Sequence, residues 1–309
     1  MKAKLLQRRI AQSKLALPVT ACYAILVWMA YGLATEKWWL QFGCFVITTY
    51  LMMLLNNLNA LIRIFSRMVS CSFLMLSCCA CFLFPSSRGA ILSLCMAAAW
   101  LILSQTYQDK EAKGMTYYGF LFIGLGSLAH VQVLYFVPLI WLLTATQLLS
   151  LSWRTWCASL FGLLTPYWFG ICLLFYLHDF TPLYSHFTKL SDFRFPIDYT
   201  VLSSADIDMY VFLVLLTIAG IVHYLYDWHN DKIRIRLFYS FLIWTDLMAL
   251  AGIAVQPQLY EVFVHVAIIC TATIIGHFLA LTTTKLGYII SCAVIVSAVF
   301  ITLYNLWMS

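Results

Sequence analysis

Apolar stretches separated by short polar breaks run along this chain from Leu17 to Trp307, and about eleven of them approach the roughly 20 residues that a bilayer-spanning helix needs. The pattern predicts helices over 16–34, 38–57, 68–84, 90–106, 116–130, 133–151, 156–177, 209–227, 237–255, 262–281 and 287–307. Most of the breaks are brief, such as Thr35-Glu36-Lys37, Pro85-Ser86-Ser87-Arg88-Gly89 and Gln256-Pro257-Gln258. The fifth stretch is the shortest, and no polar loop parts it from Val133. A half-span turning back near Gly124-Leu125-Gly126-Ser127 is the alternative to a full crossing, tolerated only where protein or water satisfies its backbone. One break is long. Residues 178–208 contain Pro182 and Pro196 and a run of rings at Phe180, Tyr184, Phe187, Phe193, Phe195 and Tyr199. That density of aromatics predicts a loop that docks as an ordered lid.

Charge fixes an orientation. With the N-terminus inside, the inner segments hold Lys2, Lys4, Arg8, Arg9, Lys14, Arg63, Arg67, Lys110, Lys113, Arg154, Lys232, Arg234, Arg236 and Lys285. The outer segments hold Lys37, Arg88, Lys189 and Arg194, so the division is fourteen to four and accounts for all 18 Lys and Arg. Short loops rich in Lys and Arg stay in the cytoplasm, which places the long loop 178–208 in the periplasm and the C-terminus outside. The same division favours a full crossing by 116–130, because a half-span there would invert every later helix. Residues 1–14, with Leu5, Leu6 and Ile10 among basic residues, read as a short helix on the inner leaflet before an uncleaved first span.

Composition agrees. A chain of 309 residues that is 63% hydrophobic and 10% charged has no room for a soluble module, so residues 1–309 read as a single integral membrane helical domain. The formal charge of +6 sits in short inner loops, where topology and anionic lipid explain it; nucleic acid is not an expected partner. All 11 cysteines lie in apolar stretches and act there as small hydrophobes. Cys78-Cys79-Ala80-Cys81 points its thiols in different directions on a helix and has no His or carboxylate in its segment, so no metal is expected. No cofactor motif is present.

Ionisable groups within apolar helices are costly and mark places to look for function. Asp246, in Trp244-Thr245-Asp246-Leu247-Met248, is the one carboxylate placed at depth. It reads either as a coupling residue or as an interhelical hydrogen-bond acceptor. His130 falls at the tight outer turn, while His223, His265 and His277 lie within spans. His265 and His277 are about 18 Å apart along one helix and cannot share an ion. Asn56-Asn57-Leu58-Asn59 reads as a helix end with capping amides or as a lipid head-group site. The outer loop holds the densest chemistry: His178, Asp179 and His186 supply acid–base groups, Asp192 and Asp198 add carboxylates, and Arg194 with Lys189 would clamp an anion. It contains no metal-ligand spacing, no Ser-His-Asp order and no Gly-rich phosphate loop.

The stretch Tyr118-Gly119-Phe120-Leu121-Phe122-Ile123-Gly124-Leu125-Gly126-Ser127-Leu128-Ala129 continues through Leu134-Tyr135-Phe136-Val137-Pro138 and Trp153-Arg154-Thr155-Trp156 to Gly162-Leu163-Leu164-Thr165-Pro166-Tyr167. Over about residues 50–180 it resembles an uncharacterised family of polytopic inner-membrane proteins of Bacteroidetes, and that resemblance implies no activity. The same hairpin is similar to part of the GT-C membrane glycosyltransferases, which use polyprenyl-phosphate sugars. Their fold implies an outward active site with a carboxylate on a long first outer loop. Here that loop is Thr35-Glu36-Lys37, and Glu36 is its only acid.

The expected fold is all-α, a polytopic bundle of about eleven helices with the N-terminus in the cytoplasm. Three functions fit it. The first is a non-enzymatic inner-membrane component of envelope biogenesis or of a membrane complex, with the lipid bilayer and other membrane proteins as partners. The second is a GT-C-like enzyme acting on a lipid-linked substrate. The third is a secondary transporter coupled through Asp246. A broad outer groove containing Asp179, Asp192 or Asp198 favours the second, a cavity reaching Asp246 near the midplane favours the third, and a packed interior with neither favours the first.

Overall fold

The computed structural model describes residues 11–178, 180–191, 197–282 and 284–308. Among them are twelve α-helices and no strand: α1 (Ala16–Tyr31), α2 (Trp39–Asn59), α3 (Met68–Cys79), α4 (Ser87–Leu103), α5 (Lys113–Ala129), α6 (Phe136–Thr146), α7 (Trp153–Leu177), α8 (Thr181–Thr188), α9 (Ser204–Asp227), α10 (Ile233–Val255), α11 (Tyr260–Leu281) and α12 (Lys285–Met308). Each expected stretch holds a helix, and α8 is an additional one inside the long loop. Seven helical segments are long and apolar enough to cross a membrane by length and composition. They are 39–59, 87–106, 153–177, 204–230, 233–255, 257–281 and 285–308. The remaining apolar helices α1, α3, α5 and α6 are shorter.

Local signals set several ends. Ser152 and Ser203 begin α7 and α9 with capping boxes closed by Thr155 and Asp206. α7 stops at His178, whose left-handed backbone (φ 52°) lets it cap the last carbonyls. The third stretch breaks at Ala80 into a short 3-10 turn, Cys81–Leu83. The sixth is a 3-10 segment, Val131–Tyr135, followed by an α-helix of only 11 residues.

α11 forms the axis of the bundle. Its residues from Tyr260 to Ala280 are buried apart from Glu261, as expected of a helix that is apolar all round. Helices α3, α4, α9 and α10 surround it. On one flank α5 packs tightly between α4 and α7. A Cβ on Gly162 of α7 would stand 2.4 Å from the Tyr117 carbonyl of α5, so glycine is what lets these two backbones touch.

The connections gather at two ends. At the upper end Gln41 donates to the Pro85 carbonyl (3.1 Å), Tyr135 to that of Leu190 (2.6 Å) and Tyr199 to that of Ala254 (2.8 Å). At the lower end Ser152 donates to the Lys110 carbonyl (2.8 Å) and Arg154 pairs with Glu111 (2.8 Å). The fifth stretch therefore runs the full length of the bundle, from its Lys110–Ser152 contact to His130 at the top, and does not turn back at Gly124.

Candidate ligand-binding cleft

The lower end is cross-linked by polar side chains, beside a mainly apolar cavity of about 380 Å³ between Val222, His223, Phe278 and Leu286. The loop between α2 and α3 sends Arg63 to two carboxylates, Asp227 and Asp231, with its Nε 3.0 Å from Asp231 Oδ1. The Asp231 side chain is fully buried and also meets His277 Nε2 at 3.1 Å. The rings of His223, Tyr224 and Tyr239 pack around His277 with centroids 4.9–6.1 Å away. Arg234 reaches Asn59 Oδ1 (2.9 Å) and the Ser104 carbonyl (3.0 Å), and Asn59 Nδ2 donates to Ser104 Oγ (2.8 Å). Asn56 donates to the Ser66 carbonyl (2.8 Å), so the asparagine run secures a helix end. Glu111, exposed at the surface, is held below the usual carboxylate range by its hydrogen bond with Lys113 and by Arg154.

The middle is packed. Asp246 is fully buried and accepts hydrogen bonds from Thr217 (2.7 Å) and Thr271 (3.1 Å). These join α10 to α9 and α11, the interhelical arrangement in which a buried carboxyl has its partners supplied. Asp246 lines none of the five principal cavities among the described residues.

The upper end is open. Two chambers lie side by side there and share Arg88 and His130. The larger, about 620 Å³, is walled by the Pro85–Arg88 turn, by Leu202 and Asp206 before and in α9, and by Gln258 and Glu261 at the start of α11. The smaller, about 220 Å³, lies between Arg88, His130, Gln132, His186 and Lys189. Glu261 connects the surrounding elements. It accepts a hydrogen bond from Ser86 and lies 3.7 Å from His130 Nε2. One turn below, His265 Nδ1 meets Ser93 Oγ at 2.8 Å, and the ring lies flush on Gly89, where a Cβ would fall 2.1 Å from Nε2.

α8 roofs this end. Its Phe187 and His186 rings pack on Tyr167 of α7, with centroids 5.2 and 6.1 Å away, and the Tyr167 hydroxyl pairs with Ser127 Oγ at 2.7 Å. Burial holds the His186 imidazole below its ordinary value against an opposing interaction with the Ser127 backbone, and Lys189 and Arg88 push it the same way as burial. Tyr199 adds a second tether through Ala254, but Phe180, Tyr184, Phe187 and Tyr199 all remain exposed and no residue of α8 is buried, so the rings do not dock as deeply as the sequence leads one to expect.

No family model, curated protein or solved structure matches this chain. The cleft must therefore be read from its own residues.

Of the residues singled out in the sequence, His130 and His186 come together on the smaller chamber, joined by Lys189. His178 is an exposed helix cap whose ring meets Phe175. Asp198 is exposed and caps the turn Tyr199–Val201 through Thr200, whose hydrogen bonds lower its carboxyl's titration. Asp179, Asp192 and Arg194 lie outside the described residues, as do Phe193 and Phe195 and most of the basic N-terminal segment. Glu261, Ser86 and Arg88 were not singled out as site residues. Glu261 stands one residue before its expected span, and Arg88 read as a loop cation.

Proposed function

We propose that this chain is a multi-pass protein of a bacterial inner membrane, crossing it about eleven times with its lower end in the cytoplasm, and that it presents a ligand-binding cleft to the periplasm. The observation that carries this reading is the contrast between its ends. The lower one is cross-linked by Arg63, Arg154 and Arg234 and its cavity is walled mainly by apolar side chains such as Val222, Phe278 and Leu286, whereas the upper one keeps two chambers rich in polar groups, the smaller of them closed by His186 and Lys189 of the long loop. The role that fits best is a non-enzymatic component of envelope biogenesis or of a membrane complex, holding a periplasmic or lipid-linked ligand or a membrane protein partner at that cleft.

A second reading, group transfer at the same cleft, is favoured by one feature. Glu261 sits between a hydroxyl and an imidazole, the setting of a general base. The transporter reading is the least supported, because Asp246 has its hydrogen bonds filled by Thr217 and Thr271.

Orientation is the first test. Single cysteines placed at Ser185 and Asn230 in a cysteine-free variant are exposed to an impermeant thiol reagent on intact cells. Labelling at position 185 alone is expected. Labelling at 230 and not at 185 would put the cleft in the cytoplasm and overturn the proposal.

A further inference from the structure

The smaller chamber brings together two cations without counter-ions among the described residues, Arg88 and Lys189, and two imidazoles. Arg88, His130, His186 and Lys189 line it, and among the described residues no carboxylate does, although Glu261 stands 3.7 Å from His130 Nε2 on the adjoining side. Among the described residues neither Arg88 nor Lys189 has a carboxylate oxygen within 4.0 Å, although Arg63, Lys113 and Arg154 each do. Arg88 also stands in the first turn of α4, where the helix's own field opposes a cation and no acidic residue offsets it. The buried Nε2 atoms of His130 and His186 lack hydrogen-bond partners, and a buried polar atom left unpaired is costly. Like charges held in a cleft concentrate the opposite ion. Four donors on one small volume match a ligand with several acceptor oxygens better than a single-point anion.

We propose that this chamber binds a tetrahedral oxyanion of the phosphate class, with Arg88 and Lys189 as its charged donors and His130 and His186 as imidazole donors. The inference rests on the periplasmic-cleft reading and names the ligand chemistry for it. Bound oxygens would relieve the repulsion between Arg88 and Lys189 and would give both orphaned nitrogens a partner. The adjoining chamber, with Ser86, Ser87, Asp206, Gln258 and Glu261, offers acceptors and donors to whatever carries the oxyanion. That carrier is either a soluble phosphate or a lipid headgroup.

The test is isothermal titration of the purified full-length protein in a zwitterionic detergent, with sodium phosphate in one arm and dihexanoyl phosphatidic acid in the other. Binding of phosphate, weakened about tenfold or more by Arg88→Gln and by Lys189→Gln and unchanged by Lys285→Gln, identifies a soluble anion as sufficient. Binding of the phosphatidic acid alone, with the same dependence on the variants, identifies a lipid headgroup. Both results support the proposal. No binding in either arm, or binding indifferent to both substitutions, overturns it. Arg88 and Lys189 are exposed, and an unchanged melting temperature confirms that their variants stay folded. A cysteine at Ser87 separates the two levels of the argument. If an impermeant reagent labels it from outside while no anion binds, the ligand class alone is wrong. If it stays sealed, the periplasmic cleft is wrong as well.

Discussion

Replacing Gly162 by alanine should loosen the flank of the bundle that carries the cleft, while the same change at Gly170, two turns along the same helix, should not. At Gly170 no atom lies within 4 Å of the added methyl, so the substitution only relieves the helix of glycine's backbone freedom, a gain of about 0.5–1 kcal/mol. At Gly162 the methyl would fall 2.4 Å from the Tyr117 carbonyl, 3.0 Å from the Leu121 nitrogen and 3.2 Å from Phe120 Cβ. Ordinary contact begins at 3.4 Å, so α5 and α7 must part by about 1 Å. The obstructing atoms are backbone and cannot rotate aside. A gap of about 1 Å forfeits up to roughly half of each dispersion contact along the seam, and overpacking of this kind costs about 1–3 kcal/mol. The hydrogen bonds Tyr117–Thr165 (3.0 Å) and Ser127–Tyr167 (2.7 Å) span the same seam and would stretch with it. Because α8 docks on Tyr167, the roof should shift too. The assay is the fraction of monodisperse protein after a heating series in detergent, with the three proteins run side by side. Gly162→Ala is expected to melt well below the native protein and Gly170→Ala at or slightly above it. Equal melting of both variants would refute the close backbone contact between α5 and α7.

Two further outcomes follow from groups already placed. Asp246→Asn preserves an acceptor for Thr217 and Thr271 and should be nearly silent, whereas Asp246→Leu removes both bonds at about 0.6 kcal/mol each, with Thr217 and Thr271 (3.2 Å apart) left to pair; a loss of anion binding in Asp246→Asn with unchanged melting would show that Asp246 has a functional and not a structural role. His186 titrates below its ordinary 6.5 in the docked state, through burial first and then Lys189 and Arg88, so the undocked state binds the proton more readily. Docking of α8 is therefore fully favoured above about pH 6.5 and weakens as pH falls towards the docked value. Amide exchange over 181–190 should be slower at pH 7.5 than at pH 5.5 after correction for the intrinsic rate, and protection that is flat or rises on acidification would contradict the docked geometry.

Much of the fold was legible because each helix had to be apolar over most of its length, and a run such as Val262–Ala280 leaves no other reading. Helix ends were less legible. α9 begins at Ser204, five residues before its expected start, and the cause is written in the chain as Ser203 and Asp206, a capping box that the apolar count passes over. The break at Ala80 has no proline or glycine to announce it. There the stacking of Phe84 on Trp28, centroids 3.8 Å apart, holds the following turn against α1. The hairpin at 130–135 needed no polar loop because a 3-10 segment makes the reversal.

The cleft was legible only in pieces, for a physical reason. His130 and His186 stand on segments 56 residues apart, and neither carries a spacing that points to the other. What brings them together is the α5–α7 seam, through Ser127, Tyr167 and the docked roof, and a contact between three elements leaves no periodic trace. Asp246 was conspicuous because an acid amid Trp244, Leu247 and Met248 violates the local pattern, yet two threonines satisfy it. Glu261 and Arg88 violate nothing, since each stands at a helix start where a charge is ordinary. Their significance arises from what the fold places beside them: a serine and a histidine for the acid, and two histidines and a lysine in the smaller chamber for the base. In a protein built almost wholly of apolar helices, burial selects the charged groups that packing must satisfy. The ones left unsatisfied collect where the helices end. The upper rim is that place here, and Arg88 is its most direct probe.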